Sequence, residues 1–331
     1  MLRLFEVLFG TDAGILADTD FQILLLISAI VAFGNGLMSP ILDSLVHLFG
    51  ATPANIGLMV SAFWAPSFIV IPLVGMLGDL YGRKPILVVS LLVYGIAGTA
   101  IAFTTDFTVG LGFRFVQGMG WAGIVPIVVT CIGDLYRQSK ETTAQGLRLA
   151  TTGASAGLVS VIAGVLVVFA WRYPFYLYAI AIPTAMAVYW FFQDPAGSGW
   201  AAESESRGVF GYSKNLISLI RQRHIFAILI ARTVPVITYV GFATYNSILV
   251  IRVLGGTSVQ AGVTFAVLSI VVAVAASQTG RVTSYLSNTF IVLLIANVLI
   301  GTGLITIALA PTVSTLIGGT MLLGTGFGIV V

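Results

Sequence analysis

Ten apolar runs follow one another along the chain, at 21–45, 55–77, 85–104, 108–133, 143–170, 173–192, 224–251, 259–279, 290–309 and 312–331. Each is long enough to cross the roughly 30 Å hydrocarbon core of a bilayer as a helix. Lipid offers no hydrogen-bond partners, so a run of this kind satisfies its backbone only by coiling on itself. The reading is an all-α integral membrane protein. Composition supports it: 58% of residues are hydrophobic and 8% charged, where a water-covered domain carries about 25% charged residues. The net charge of +3 is dispersed over isolated loops, which excludes a basic face for nucleic acid. Cys131 is the one cysteine, so no intrachain disulfide forms and the thiol is a small packing residue. The segment before Asp20 is short and mildly amphipathic, and the first span is expected to act as its own insertion signal.

Loops fix the expected topology. The longest polar stretch, 194–223, holds Glu203, Glu205, Arg207, Lys214, Arg221 and Arg223. It is expected to be a cytoplasmic central loop with an interfacial amphipathic helix from about Gly211. It divides an N-terminal six-helix bundle, 1–193, from a partial C-terminal bundle of four helices, 224–331. With the N-terminus in the cytoplasm, the inner loops take Arg83, Lys84, Arg137, Lys140, Arg207, Lys214, Arg221, Arg223 and Arg281. The outer loops then take Arg172 and Arg252. That asymmetry of positive charge predicts a multi-pass protein of the cell membrane with a cytoplasmic N-terminus.

An internal repeat runs through the chain at a displacement of about 205 positions. Leu48, Gly50, Thr52 and Gly57 match Leu254, Gly255, Thr257 and Gly262; Gly75 and Asp79 fall on Gly280 and Ser284. Near the same offset, Gln117, Gly118, Gly120 and Trp121 fall on Leu323, Gly324, Gly326 and Phe327. Repeated halves are how secondary transporters build two bundles around a central site.

Between the second and third runs lie Gly75, Asp79, Gly82, Arg83 and Lys84, in the pattern G-x-x-x-D-x-x-G-R-K. A charged turn this short makes the two flanking spans antiparallel neighbours. The pattern resembles motif A of the major facilitator superfamily, which joins spans 2 and 3 on the cytoplasmic side. The resemblance implies that superfamily's fold, with twelve spans expected where this chain has ten, and hence a C-terminal truncation of a protein of about 400 residues. It also implies a cytoplasmic latch. Asp134, at the end of the fourth run, is placed to pair with Arg83.

Arg114, Gln117, Gly118 and Gly120 resemble motif B, R-x-x-Q-G-x-G, of the same superfamily. The resemblance implies that Arg114 organises proton coupling or anchors the first span. The alternative is an arginine bonded to backbone carbonyls that simply holds spans together. Gly34, Asn35, Gly36, Pro40 and Asp43 resemble the first-span signature of the drug:proton antiporter branch, with Asp43 in place of its second proline. Asp43 is expected to reach Arg114 in the inward-facing state, or else to be a solvated rim carboxylate. In the fifth run Gly153, Gly157, Ser160 and Gly164 keep the small-residue spacing of the antiporter motif C without its proline, a pattern that suits close helix packing. Arg148 is expected to snorkel.

Candidate cavity residues are Asn35, Trp121, Arg232, Tyr239, Tyr245 and Asn246, with Arg232 equally readable as a snorkelling residue. The abundance of phenylalanine and tyrosine favours apolar or amphipathic cargo. His47 and His224 fall at opposite faces and cannot share a metal. No phosphate loop, nucleophile elbow or carboxylate pair points to an enzyme or a cofactor. The expected function is alternating-access transport of a small molecule by a protein that is monomeric in the bilayer, as proton-coupled efflux. Proton-linked import of a nutrient, or a receptor or scaffold that keeps the fold without transport, are the alternatives.

Overall fold

The computed structural model describes residues 10–194, 223–286 and 289–330. Among them, ten helical stretches are long and apolar enough to span a membrane, and no strand occurs. The expected amphipathic helix near Gly211, with Arg207, Lys214 and Arg221, lies outside the described residues, as do the side chains of Arg223, Arg232, Arg281 and Ser284.

Span 1 comprises helical segments Thr19–Val31, Phe33–Gly36 and Met38–Leu48, and span 2 comprises Pro53–Ile56, Leu58–Trp64 and Ser67–Tyr81. Spans 3, 4 and 5 are Arg83–Ala100, Phe107–Leu135 and Ser139–Phe169. Span 6 combines Tyr173–Tyr176, a 3₁₀ turn and Ala181–Phe191. Spans 7 to 10 are Arg223–Ile248 with a π-helical turn Leu249–Val253, then Ser258–Leu286, Thr289–Ala308 and Val313–Val330. Several helices run past the apolar runs into the charged loops, since a helix ends where its backbone loses partners and not where hydropathy falls. Short connections make consecutive spans antiparallel, so one end of the molecule carries Asp43 and the other carries Arg83.

Span 1 is interrupted twice, at Ala32 and at Leu37. Pro40 has no N–H to offer the Gly36 carbonyl and its ring crowds it, which accounts for the interruption at Leu37. Carbonyls beside the breaks are taken by neighbours: the Tyr94 hydroxyl donates to Ile30 O at 3.2 Å and the Tyr178 hydroxyl to Phe33 O at 3.1 Å.

The repeat is visible in the contacts. A Cβ on Gly118 would run into the Phe63 carbonyl, and one on Gly324 would lie 3.1 Å from the Leu268 carbonyl. Gly120 abuts Ser90 and Tyr94, as Gly326 abuts Ala296 and Ile300; Gly98 abuts Gln117, as Gly303 abuts Leu323. In every case the partners sit about 205 positions apart. Glycine here lets two helix backbones meet directly, which is how helices associate where lipid removes the hydrophobic drive.

Spans 5 and 8 make the most extensive contact between the first six spans and the last four. Gly153 lies against Ser269 and Ala273, and Gly157 against Ala266. Gly164 meets the Ser258 carbonyl while Gly262 meets the Ser160 carbonyl. The small residues of the fifth run thus serve close packing.

Candidate functional site

At the Arg83 end, the short turn folds into a charge cluster. Arg83 Nη1 lies 2.6 Å from Asp134 Oδ2, and Arg83 Nη2 lies 3.9 Å from Asp79 Oδ1. Asp79 is 65% exposed, so its share of the cluster is weak, while Arg83 is largely covered. Gly82 has φ +87°, a backbone region that glycine enters without strain. That conformation lets the Asp194 carboxylate accept from Lys84 N at 3.0 Å, at the N-terminus of span 3. An anion there meets free N–H groups and the positive end of the helix. Gly75 has no described neighbour within 4 Å of where a Cβ would sit. Nothing in the sequence marks Asp194 for this role, since it lies 110 positions from its partner.

The same end holds a second tie. Asp18 caps span 1 by accepting from Asp20 N at 3.0 Å, and its other oxygen accepts from the Tyr136 hydroxyl at 2.6 Å. Burial, aided by the Asp18 carboxylate, pushes the Tyr136 phenol well above its ordinary pKa.

In span 4, about two turns from its Phe107 end, Arg114 is completely buried. Its Nε donates to Met59 O at 3.1 Å, Nη1 to Gln117 Oε1 at 2.7 Å and Nη2 to Gly34 O at 3.4 Å. Nη1 also lies 3.4 Å from the Tyr178 hydroxyl, and the guanidinium carbon lies 4.4 Å from the Phe63 ring centroid. Every one of these partners is neutral. Arg114 therefore binds span 1 to spans 2, 4 and 6 through carbonyls, hydroxyl and ring, and the pairing expected between Arg114 and Asp43 is not made.

Asp43 instead pairs with Arg252 of the π-helical turn, Oδ1 accepting from Nε. The turn carries one more residue per coil than an α-helix, and such turns recur at functional positions. Arg252 Nη2 also sits 3.3 Å from His47 Nε2. Ser247 Oγ accepts from Asp43 N at 3.2 Å, and Asn246 Nδ2 reaches Ser39 Oγ at 3.3 Å and Ala261 O at 2.8 Å. Ser39, Asp43 and His47, spaced by four, form one face of span 1 against span 7. From sequence Arg252 is an outer-loop charge and His47 one of two histidines at opposite faces, so their meeting is a finding of the fold.

The remaining described candidates are dispersed and do not converge on one site. Asn35 lines a small pocket with Met38, Ser39, Val60, Val240, Ala243 and Thr244. Trp121 packs edge-on to Trp64, with ring centroids 4.6 Å apart. Tyr239 stacks on Phe327 at 4.5 Å and 11°. The Tyr245 hydroxyl faces Gly57 at the start of span 2. Asn246 is fully buried and ties spans 1, 7 and 8 instead of lining open space. Among the described residues no cluster of histidine, cysteine, aspartate or glutamate is arranged for a metal.

Comparison with known proteins places this arrangement. The sequence model of the Major Facilitator Superfamily matches residues 24–331. The chain belongs to the Major Facilitator Superfamily. Among curated proteins, this superfamily member is 32% identical over 153 residues to the bacillibactin exporter of Bacillus subtilis, covering 44% of this chain and 38% of that one. It is 34% identical over 103 residues to the niacin transporter NiaP of Acinetobacter baylyi, covering 31% of this chain and 24% of that one. Its matches thus span well under half of those relatives' lengths. The fold agrees with a bacterial homologue of the human lysosomal transporter Spinster, at TM-score 0.76 and 16% identity, covering 94% of this chain and 72% of that one.

Proposed function

We propose that this chain carries out proton-coupled efflux of small apolar or amphipathic molecules by alternating access, in the cell membrane, with its N-terminus and the Arg83 end in the cytoplasm. One observation carries the reading. Span 1 is joined to the last four spans by its Asp43-end segment, Met38–Leu48, which packs on spans 7 and 8. Its other segment, Thr19–Val31, packs on spans 4, 5 and 6. A span divided in this way between the two bundles suits the rocking motion of alternating access. The likeness to the bacillibactin exporter supports the outward direction.

In this reading Gly75, Asp79, Gly82, Arg83, Lys84 and Asp134 form the cytoplasmic latch, and Asp43 takes up the coupling proton. Arg114, Gln117 and Gly118 hold the broken span 1 in register with span 4. Asn35, Trp121, Tyr239 and Tyr245 contact cargo in a largely aromatic crevice, and Arg232 joins them. The test is efflux of a lipophilic fluorescent dye from proteoliposomes under an imposed pH gradient. Flux should rise with the gradient and be abolished in Arg83→Ala and sharply reduced in Asp79→Asn. Dye movement indifferent to the gradient defeats proton coupling, and indifference to both substitutions leaves only a scaffold.

A further inference from the structure

A row of polar pairs runs along the contact between spans 1 and 7 at the Asp43 end, beside apolar neighbours such as Met38 and Val240. Ser39 meets Asn246, the Asp43 backbone meets Ser247, and Asp43 and His47 both meet Arg252. An apolar seam would resist wetting. A line of hydroxyls, an amide and one ion pair exchanges its partners for water at small cost, so this is a contact made to open.

We propose that Asp43, His47 and Arg252 form an acid-released gate, in which a proton taken up by either Asp43 or His47 frees Arg252 and lets spans 1 and 7 part. The signs agree. Protonating the Asp43 carboxylate removes the negative charge that holds the guanidinium. Protonating the His47 imidazole turns a neutral neighbour 3.3 Å from Arg252 Nη2 into a repelling cation. Both events act on one arginine in one direction. In each case the proton comes from water at the Asp43 end and no other bond changes.

The nearest acid on a neighbouring element is Asp106 at the start of span 4, beside Phe107, whose ring lies 5.8 Å from that of Phe49. The described turns of spans 2 and 8 against Met38–Leu48 carry no ionisable side chain, and span 5 carries none beyond Arg148 toward this end. Span 7 adds Tyr239, stacked on Phe327, and Tyr245, turned to Gly57. His47 and Arg252 lie in the corresponding spans of the two repeated halves, the first of each, close to the repeat offset of about 205 positions.

The gate rests on the alternating-access reading above, and its test is independent of transport. Spin labels are placed on Phe103→Cys and Leu309→Cys, both exposed and at the Asp43 end, in the full chain with Cys131→Ser. Distances are read in nanodiscs without cargo and with equal pH on both sides. Between pH 8 and pH 5 the separation should shift to longer values, reaching half its change at a higher pH than in His47→Gln. Asp43→Asn should hold long separations throughout. Because that variant also loses a buried contact, the exchange Asp43→Arg with Arg252→Asp serves as control: it should restore the short separations that Asp43→Arg alone loses. An unchanged pH response in the variant combining Asp43→Asn with His47→Gln, or an exchange no shorter than Asp43→Arg alone, overturns the gate. A pH-driven separation alongside gradient-independent flux would uphold the gate and defeat the proton-coupled efflux reading instead.

Discussion

Arg252 lies 205 positions beyond His47 and its guanidinium reaches the His47 imidazole at 3.3 Å. The contact joins the first spans of the two repeated halves across the seam. Asp43, four positions before His47, gains its partner from that meeting.

Removing the span 3 cap should loosen the Arg83 end without touching the seam. Asp194→Ala withdraws the acceptor for Lys84 N and is expected to cost about 0.5–2 kcal/mol. Thermal unfolding in detergent, compared with Asp194→Asn, measures it; the asparagine should recover part of the loss.

The backbone contacts of span 4 should sort glycines by their surroundings. Gly118→Ala forces a methyl group into the Phe63 carbonyl and is expected to destabilise by about 1–3 kcal/mol. Gly324→Ala meets Leu268 at 3.1 Å and should cost less. Gly112→Ala, with nothing within 4 Å, should be neutral or slightly stabilising. Unfolding temperatures of the three variants check the order.

Arg114 should behave as a structural clamp as much as a coupling group. Arg114→Ala leaves the Gly34 and Met59 carbonyls and the Gln117 amide short of a buried donor, with an expected loss of more than about 3 kcal/mol. Tyr178→Phe removes the bond to Phe33 O and should cost about 1 kcal/mol. Arg114→Lys offers a single compact donor group in place of the planar fork and should fall between them. Folded yield after membrane extraction and heat challenge reads all three.

Alkaline pH should weaken the Asp18–Tyr136 tie. The folded state favours the neutral phenol, so its pKa is raised over that of the unfolded chain. The stability it lends is complete below about pH 10, the ordinary phenol value, and is lost as pH climbs through the higher folded value. Wild type should therefore show a downward step in unfolding temperature above about pH 10 that Tyr136→Phe lacks.

Much of this architecture is legible in the residues themselves, because span placement depends on hydropathy summed over twenty or so neighbours. The ten runs and the Arg83–Asp134 neighbourhood follow from such local sums and from the shortness of the turn before Arg83. What escapes is whatever depends on helix phase. Asp43 looks equally ready for Arg114 or for water until the breaks in span 1 turn it toward span 7, and Arg252 reaches it from a π-helical turn that no composition marks. Asp194 and Tyr136 escape for a second reason: each acts on a partner more than a hundred positions away, across a fold that has first to form.

Where spans 5 and 8 cross, Ser160 and Gly164 answer Ser258 and Gly262, each glycine seated on the other helix's serine carbonyl. Neither helix can enlarge its own residue without dislodging the other, so the two positions share one tolerance. Descendants of this sequence that drift at Gly164 should be found to have drifted at Gly262 as well.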